Sequence, residues 1–134
     1  WITSHTFRAR AYRSVGITVP NPPVNDVIIL DRGAAKPRHI SNAADVVGLV
    51  KSFGYAGERV IIDDRHTFEF QVKLMARAGV LICVHGAGLM NTVFMAPGSV
   101  VIEVFPVHAK HVLYERVAHY AGVYHFKVYS NVFE

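Results

Sequence analysis

Residues 80–105 read VLICVHGAGLMNTVFMAPGSVVIEVF, and the rest of the chain is best read outward from them. The stretch opens on residues 80–84, an apolar run rich in β-branched side chains and just long enough for a fully buried strand. It breaks at His85-Gly86-Ala87-Gly88, where two glycines allow a sharp turn and a close approach of backbone to a ligand. Residues 89–94 have room for about one and a half helical turns before Pro97-Gly98 stops them. A second buried run, residues 100–104, carries a single charge at Glu103. Strand, glycine loop, helix start and strand is how a doubly wound α/β domain builds an anion site. Free backbone N–H groups and the positive helix end both face whatever sits above the strand.

The flanking sequence repeats the alternation. Residues 4–15 suit a helix with Phe7, Ala11 and Val15 on one face and Arg8, Arg10 and Arg13 elsewhere, closed by Gly16. Val19-Pro20-Asn21-Pro22-Pro23 is a stiff connector, so a boundary falls between an N-terminal segment (1–23) and a main unit (24–134). In that unit residues 27–30 and 60–62 are predicted strands. Between them Asn42 is placed as a helix N-cap with Asp45 at N3, and Ala43, Val46, Val47, Val50 and Phe53 recur at helical spacing. Thr67 caps a further helix with Phe68, Val72, Met75 and Ala76 on one face. A last helix over residues 110–121, with Leu113, Val117, Tyr120 and Ala121 inward, precedes a final strand over 124–129. The expected fold class is α/β: one Rossmann-like parallel sheet of about five strands with helices on both faces.

Composition sets outer limits. The 134 residues are 51% hydrophobic and 18% charged, which is one domain's worth of chain with enough apolar mass for a core. No apolar run reaches the length of a membrane helix, no signal peptide is visible, and the start at Trp1 without Met reads as a fragment. The formal charge of +4 suits an anionic ligand, yet the basic residues are dispersed, which argues against nucleic acid as a partner. Cys83, inside an apolar strand, is read as a small core residue.

The loops that follow the strands carry the chemistry, because ligands in open α/β sheets bind outside the carboxyl ends of the strands. These are Asp31-Arg32, Asp63-Asp64, His85-Gly86-Ala87-Gly88 and Phe105-Pro106. Gly86 and Gly88 point to a phosphate-facing loop. His85 either faces that ligand or holds the loop through a backbone carbonyl. Arg32 and Arg38 flank a basic loop and offer the forked donor geometry that matches phosphate oxygens. Glu103, alone in its strand, must be paired or at the ligand edge. Ribose hydroxyls and an Arg or Lys of a neighbouring helix are the two alternatives. Asp63-Asp64 is not an Asp-x-Asp metal pair, and His108 and His111 lack a third ligand nearby, so no metal is expected.

Taken together, His85-Gly86-Ala87-Gly88-Leu89, Asn91, Phe94, Pro97-Gly98 and residues 101–106 (VIEVFP) resemble the family 61 glycosyltransferases. That family includes plant core xylosyltransferases and O-linked N-acetylglucosaminyltransferases. Asp31-Arg32, residues 38–42 (RHISN) and residues 68–71 (FEFQ) match its other markers in order, over roughly residues 24–125. The resemblance implies one lobe of a two-lobed GT-B enzyme that binds a nucleotide-sugar, most simply a UDP-sugar, for inverting transfer to a glycan or glycoprotein hydroxyl. By the same resemblance no tightly bound cofactor is expected, and the partner N-terminal lobe is missing. Donor-binding residues are expected at Arg32, Arg38, Asn42, His85, Gly86, Ala87, Gly88, Leu89 and Glu103. His85 and Asp64 are candidates for a catalytic base that the other lobe is as well placed to supply. In a eukaryote the setting would be the secretory lumen, Golgi or endoplasmic reticulum, behind an anchor not in this chain. The alternatives are an NAD-type oxidoreductase domain, against which Asn91 occupies the third glycine's place, and a non-catalytic nucleotide- or glycan-binding module.

Overall fold

The computed structural model describes residues 3–18, 26–33, 38–106 and 111–130. Strands β1 (Asp26–Asp31), β2 (Ala56–Ile61), β3 (Val80–Val84), β4 (Val100–Phe105) and β5 (Tyr124–Tyr129) form one parallel sheet in the order β2-β1-β3-β4-β5. The helices are α1 (Ser4–Ser14), α2 (Ala43–Ser52), α3 (Phe68–Arg77) and α4 (Leu113–Ala121), with a 3₁₀ helix over Ala87–Phe94. The expected Rossmann-like α/β fold is the fold observed.

Chain direction explains the layering. From β1 the chain steps one way to β2, then reverses and steps through β3, β4 and β5. Right-handed crossovers therefore put α2 on one face and α3, the 3₁₀ helix and α4 on the other. The two apolar clusters follow suit. Val27 and Ile29 pack with Ala43, Val46, Val47 and Val50 of α2. Ile28, Leu30, Leu81, Cys83 and Val101 form the larger core on the opposite face. Alternate residues of β1 and β3 thus enter different cores, which is why those strands read as unbroken apolar runs.

Several expectations need correction. β2 begins at Ala56, four residues before the apolar run that suggested it, because pairing of Ala56 and Gly57 with Asp26 and Val27 recruits weak strand formers. The segment after the glycine loop winds as a 3₁₀ helix. At about 2.0 Å rise per residue, eight residues span about 16 Å, against about 12 Å for an α-helix. The longer reach matches the return trip along a five-residue strand, at about 3.3 Å per residue. In α4, Leu113 and Tyr120 point outward (55% and 70% exposed), and the fully buried residues are Ala118 and Ala121, whose small side chains let the helix sit close to its neighbours. Asn42 stands at the N-cap position of α2, but its side chain makes no capping bond.

Arg8 is the largest departure. Expected away from the apolar face of α1, it is 4% exposed and donates to Met95 O (3.0 Å) and Ala121 O (2.9 Å). These carbonyls end the 3₁₀ helix and α4, so one guanidinium satisfies two helix C-termini at once. Tyr12 Oη donates to Phe94 O nearby at 2.6 Å. The helix assigned to a separate N-terminal segment is thereby docked on the main unit. The proline-rich connector lies outside the described residues.

Candidate functional site

In a sheet of this order the crevice opens where the strand sequence reverses, between the carboxyl ends of β1 and β3. Asp31 ends β1 and organises that edge. Its buried carboxylate accepts through Oδ1 from Arg32 N (2.7 Å) and Ile40 N (2.9 Å), and through Oδ2 from Arg59 Nε (3.0 Å) and Nη2 (2.5 Å). One oxygen therefore pins both ends of the 32–40 loop. Burial pushes the Asp31 carboxyl up, but the Ile40 amide, the Arg59 guanidinium and the Arg32 amide together hold it below the usual carboxylate range.

The pinned loop presents Arg32 at one end and Arg38 at the other. Both are exposed, and neither forms an ion pair among the described residues. Arg38 has φ 59°, a left-handed backbone costly for a residue with a β-carbon. By contrast Arg59, Arg65 and Arg77 are matched to Asp31, Asp63, and Asp26 with Glu58.

The glycine loop is built on different grounds from those expected. Gly86 is extended (φ 164°), and Gly88 is absent from the positive-φ residues. What Gly88 supplies is room: a β-carbon there would lie 3.1 Å from Leu30 Cδ2 and 3.9 Å from Cys83 Sγ. Leu89 is 0% exposed, part of the core, and its N–H bonds Gly86 O, so its side chain has no route to a ligand. Cys83 is a core residue as expected, its thiol pushed up to about 12 by burial and then by Glu103.

Glu103 is 1% exposed, and its partners are neither Arg nor Lys. His85 Nδ1 donates to Oε1 at 2.5 Å and His125 Nε2 to Oε2 at 2.7 Å. The His85 ring stacks on Phe105 (5.1 Å) and His111 (5.0 Å), with Tyr114 edge-on at 5.2 Å. His85 thus holds its loop through a carboxylate, not a carbonyl, and its Nε2 has no hydrogen bond among the described residues. His111 is exposed yet serves as the outer plate of this stack; His108 lies outside the described residues. Asp64 is exposed in the turn after β2, next to Asp63, whose carboxyl the Arg65 side chain and amide hold far below the usual range.

Two cavities flank the edge. The first, about 380 Å³, is lined by Leu30, Asp31, Arg32, Ile62, Gln71, Cys83, Val84, Gly86, Ala87, Gly88 and Asn91. The second, about 420 Å³, is lined by Arg38, His39, Ile40, Ser41, Asn42, Val84, Val104, Pro106 and Ser130. Val84, at the tip of β3, belongs to both. The structure thus gathers Arg32 with Gly86, Ala87 and Gly88 in one cavity, and Arg38 with Asn42 in the other. His85, Leu89, Glu103 and Asp64 line neither. Among the described residues no group of three or more His, Cys, Asp or Glu is placed to hold a metal ion.

The sequence model of the family described as Glycosyltransferase 61 matches residues 3–102 of this chain. The chain belongs to the glycosyltransferase 61 family. Its match starts at α1, so the docked helix lies inside the family region and not ahead of it. The human protein O-linked-mannose β-1,4-N-acetylglucosaminyltransferase 2 is 34% identical over 85 residues, which is 63% of this chain and 14% of that protein. The mouse protein of the same name is 33% identical over 85 residues, with the same coverage. That of Xenopus laevis is 28% identical over 92 residues, covering 69% of this chain and 16% of its own length. The chain therefore spans about one-seventh of the length of the curated relatives it matches. Membership also sets aside the dinucleotide-oxidoreductase alternative. The loop follows β3, opens a 3₁₀ helix and closes against Leu30, unlike a glycine fingerprint that follows the first strand and opens an α-helix.

Two signals in this glycosyltransferase 61 chain escape sequence reading. Gln71 and Asn91, far apart in sequence, meet in the first cavity with Asn91 Nδ2 donating to Gln71 Oε1 at 3.1 Å. His125 reaches Glu103 from β5, and only the register Glu103↔Lys127 places it there.

Proposed function

We propose that this chain is the donor-binding lobe of a glycosyltransferase that takes a nucleotide-sugar, in the first instance a UDP-sugar. The observation that carries the reading is the pair of guanidiniums without ion partners among the described residues, Arg32 and Arg38, set at opposite ends of a loop that one buried carboxylate pins across the switch point. A diphosphate lying over the tip of β3 meets Arg32 from the first cavity and Arg38 from the second. Forked, charge-assisted donors of this kind are what its oxygens need. The exposed backbone of residues 86–88 supplies further surface that approaches closely because no side chain intervenes at Gly86.

In this reading the lobe neutralises the departing diphosphate, and transfer proceeds by inversion without a metal ion, as attack of an acceptor hydroxyl on the anomeric carbon. The acceptor is a glycan or glycoprotein hydroxyl, and a second, GT-B-type lobe closes the sugar from the opposite side. Its setting is the secretory lumen. The His85 ring, with Nδ1 donating to Glu103 and Nε2 without a hydrogen bond among the described residues, has the arrangement of an oriented base or phosphate contact, and Asp64 is the weaker candidate. Titration of the ¹⁵N-labelled chain with UDP, UDP-xylose and UDP-N-acetylglucosamine tests the reading. Shifts should concentrate at the amides of Arg32, residues 38–42 and residues 86–88. Saturable shifts confined to α1 and α4, or none at millimolar nucleotide, would refute it.

A further inference from the structure

The lining of the first cavity combines three kinds of group. Arg32 and Gly86 lie together in it, the guanidinium Nη1 4.0 Å from where a Gly86 β-carbon would lie. Gln71 and Asn91 are bonded to each other in the same lining, which also includes the apolar side chain of Ile62. A nucleoside diphosphate carries the matching groups: a charged diphosphate, and a flat base whose edge carries hydrogen-bonding groups.

The amide orientations follow from a fixed acceptor. A backbone carbonyl can only accept, so the Gln71 atom bonded to His66 O at 3.3 Å is its amino nitrogen. Gln71 Oε1 then accepts from Asn91, which orients the Asn91 amino group in turn. One N–H and the whole Oδ1 of Asn91 have no partner among the described residues, and neither is sealed from solvent. Asn91 therefore offers the cavity an acceptor beside a donor in a fixed order.

We propose that Asn91, positioned by Gln71, reads a lactam edge of the donor's nucleobase: a ring N–H beside a carbonyl, as uracil and guanine present and cytosine and adenine do not. The inference rests on the donor-binding reading above. A fixed amide order gives nothing against a sugar, whose hydroxyls donate or accept at will, whereas it discriminates between bases whose donors and acceptors are built in. The apolar lining suits the base faces, and Arg32 takes the diphosphate.

The test titrates the ¹⁵N-labelled chain with UDP, GDP, CDP, ADP and inorganic pyrophosphate. UDP, GDP or both should bind about tenfold or more tighter than CDP and ADP, the worth of one well-formed amide–base pair; the UDP and GDP arms separate uracil from guanine. Asn91→Asp replaces the donor with an acceptor and should bring the preference for UDP over CDP to unity or reverse it. Gln71→Leu lets the Asn91 amide turn over and should erode the same preference while leaving pyrophosphate affinity unchanged. Equal wild-type affinity for all four nucleotides overturns the proposal but leaves the diphosphate site standing, and so does an unchanged preference in a natively folded Asn91→Asp. If Asn91→Asp does not fold, an unchanged preference in Gln71→Leu overturns it. Absence of binding by every ligand, pyrophosphate included, removes the donor-binding reading and this proposal with it.

Discussion

Asp31→Asn should destabilise the chain by about 1–2 kcal/mol at neutral pH, and the deficit should shrink in acid. The substitution keeps the shape and leaves Oδ1 able to accept from the Arg32 and Ile40 amides. Its effect falls on Oδ2, where two Arg59 N–H groups would face an amide N–H in place of a carboxylate oxygen. A hydrogen bond to a charged group is worth about 1.5–3 kcal/mol when buried. Arg59 is 40% exposed, so solvent screening pulls the ion-pair part toward about 1 kcal/mol or less. The neutral amide also recovers some of the desolvation cost of burying a charge. A net loss of about 1–2 kcal/mol corresponds to a melting point lower by roughly 3–8 °C for a chain of this size. The sign of the pH effect follows from the depressed folded-state value of Asp31. A carboxylate lowered on folding contributes its full stability above the unfolded value, near about 3.9, and loses it as pH falls through the folded value. The asparagine does not titrate, so the gap between the two proteins should be widest at pH 7 and narrow progressively below about pH 4. Asp63 and Glu115 are depressed as well, but they titrate in both proteins and cancel in the difference. Urea unfolding followed by circular dichroism from pH 7 to pH 2 measures the gap. A deficit that stays constant across that range, or a variant as stable as wild type at pH 7, would refute the account.

Arg38→Gly should weaken UDP binding about tenfold or more while raising stability by up to about 1 kcal/mol, because glycine occupies φ 59° without the cost a β-carbon incurs; calorimetric titration beside thermal melts separates the two effects. Gly88→Val should cost about 1–3 kcal/mol by overpacking against Leu30 and Cys83, and wild-type stability in the variant would show that the loop has slack the 3.1 Å approach denies. Arg8→Met should cost about 2–4 kcal/mol, since it leaves the buried Met95 and Ala121 carbonyls without their donor, and an unchanged urea midpoint would mean that water replaces the guanidinium there.

The sheet was legible because β1 is buried on both faces and β3 and β4 are buried on one face and half-buried on the other, so all three appear as short apolar runs separated by glycine, proline and caps. The family was legible through spaced motifs, and Thr67 and Gly122 punctuate their helices as read, one by its side-chain cap to Phe70 N and the other by its left-handed φ of 73°. What failed to show depended on approach between distant segments. Nothing local marks Arg8 as a double helix cap, since a buried arginine and a solvated one look alike until Met95 and Ala121 are known to lie beside it. Periodicity misassigned Tyr120 and Leu113 because in α4 the close contact is made by alanines, and the larger side chains are displaced to its flanks.

The candidate site shows the same division. Each loop was found, because the carboxyl ends of parallel strands can be read from where the apolar runs stop. The partition of those loops between two cavities was not, because it depends on which face each side chain takes. Leu30 and Cys83 face the core of α3 and α4, whereas Ile82 faces that of α2. Val84 lines both cavities, with Arg32 in the lining of the first and Arg38 in that of the second. Asp31 thus does more than open a loop. Its Oδ1 closes that loop into a ring whose two amide contacts are 2.7 and 2.9 Å, and the separation of Arg32 from Arg38 is set by that closure. In the proposed donor-binding reading, a diphosphate bridging the two cavities would depend on a carboxylate that touches no phosphate, and loss of Asp31 should lower donor affinity through the geometry of both arginines at once.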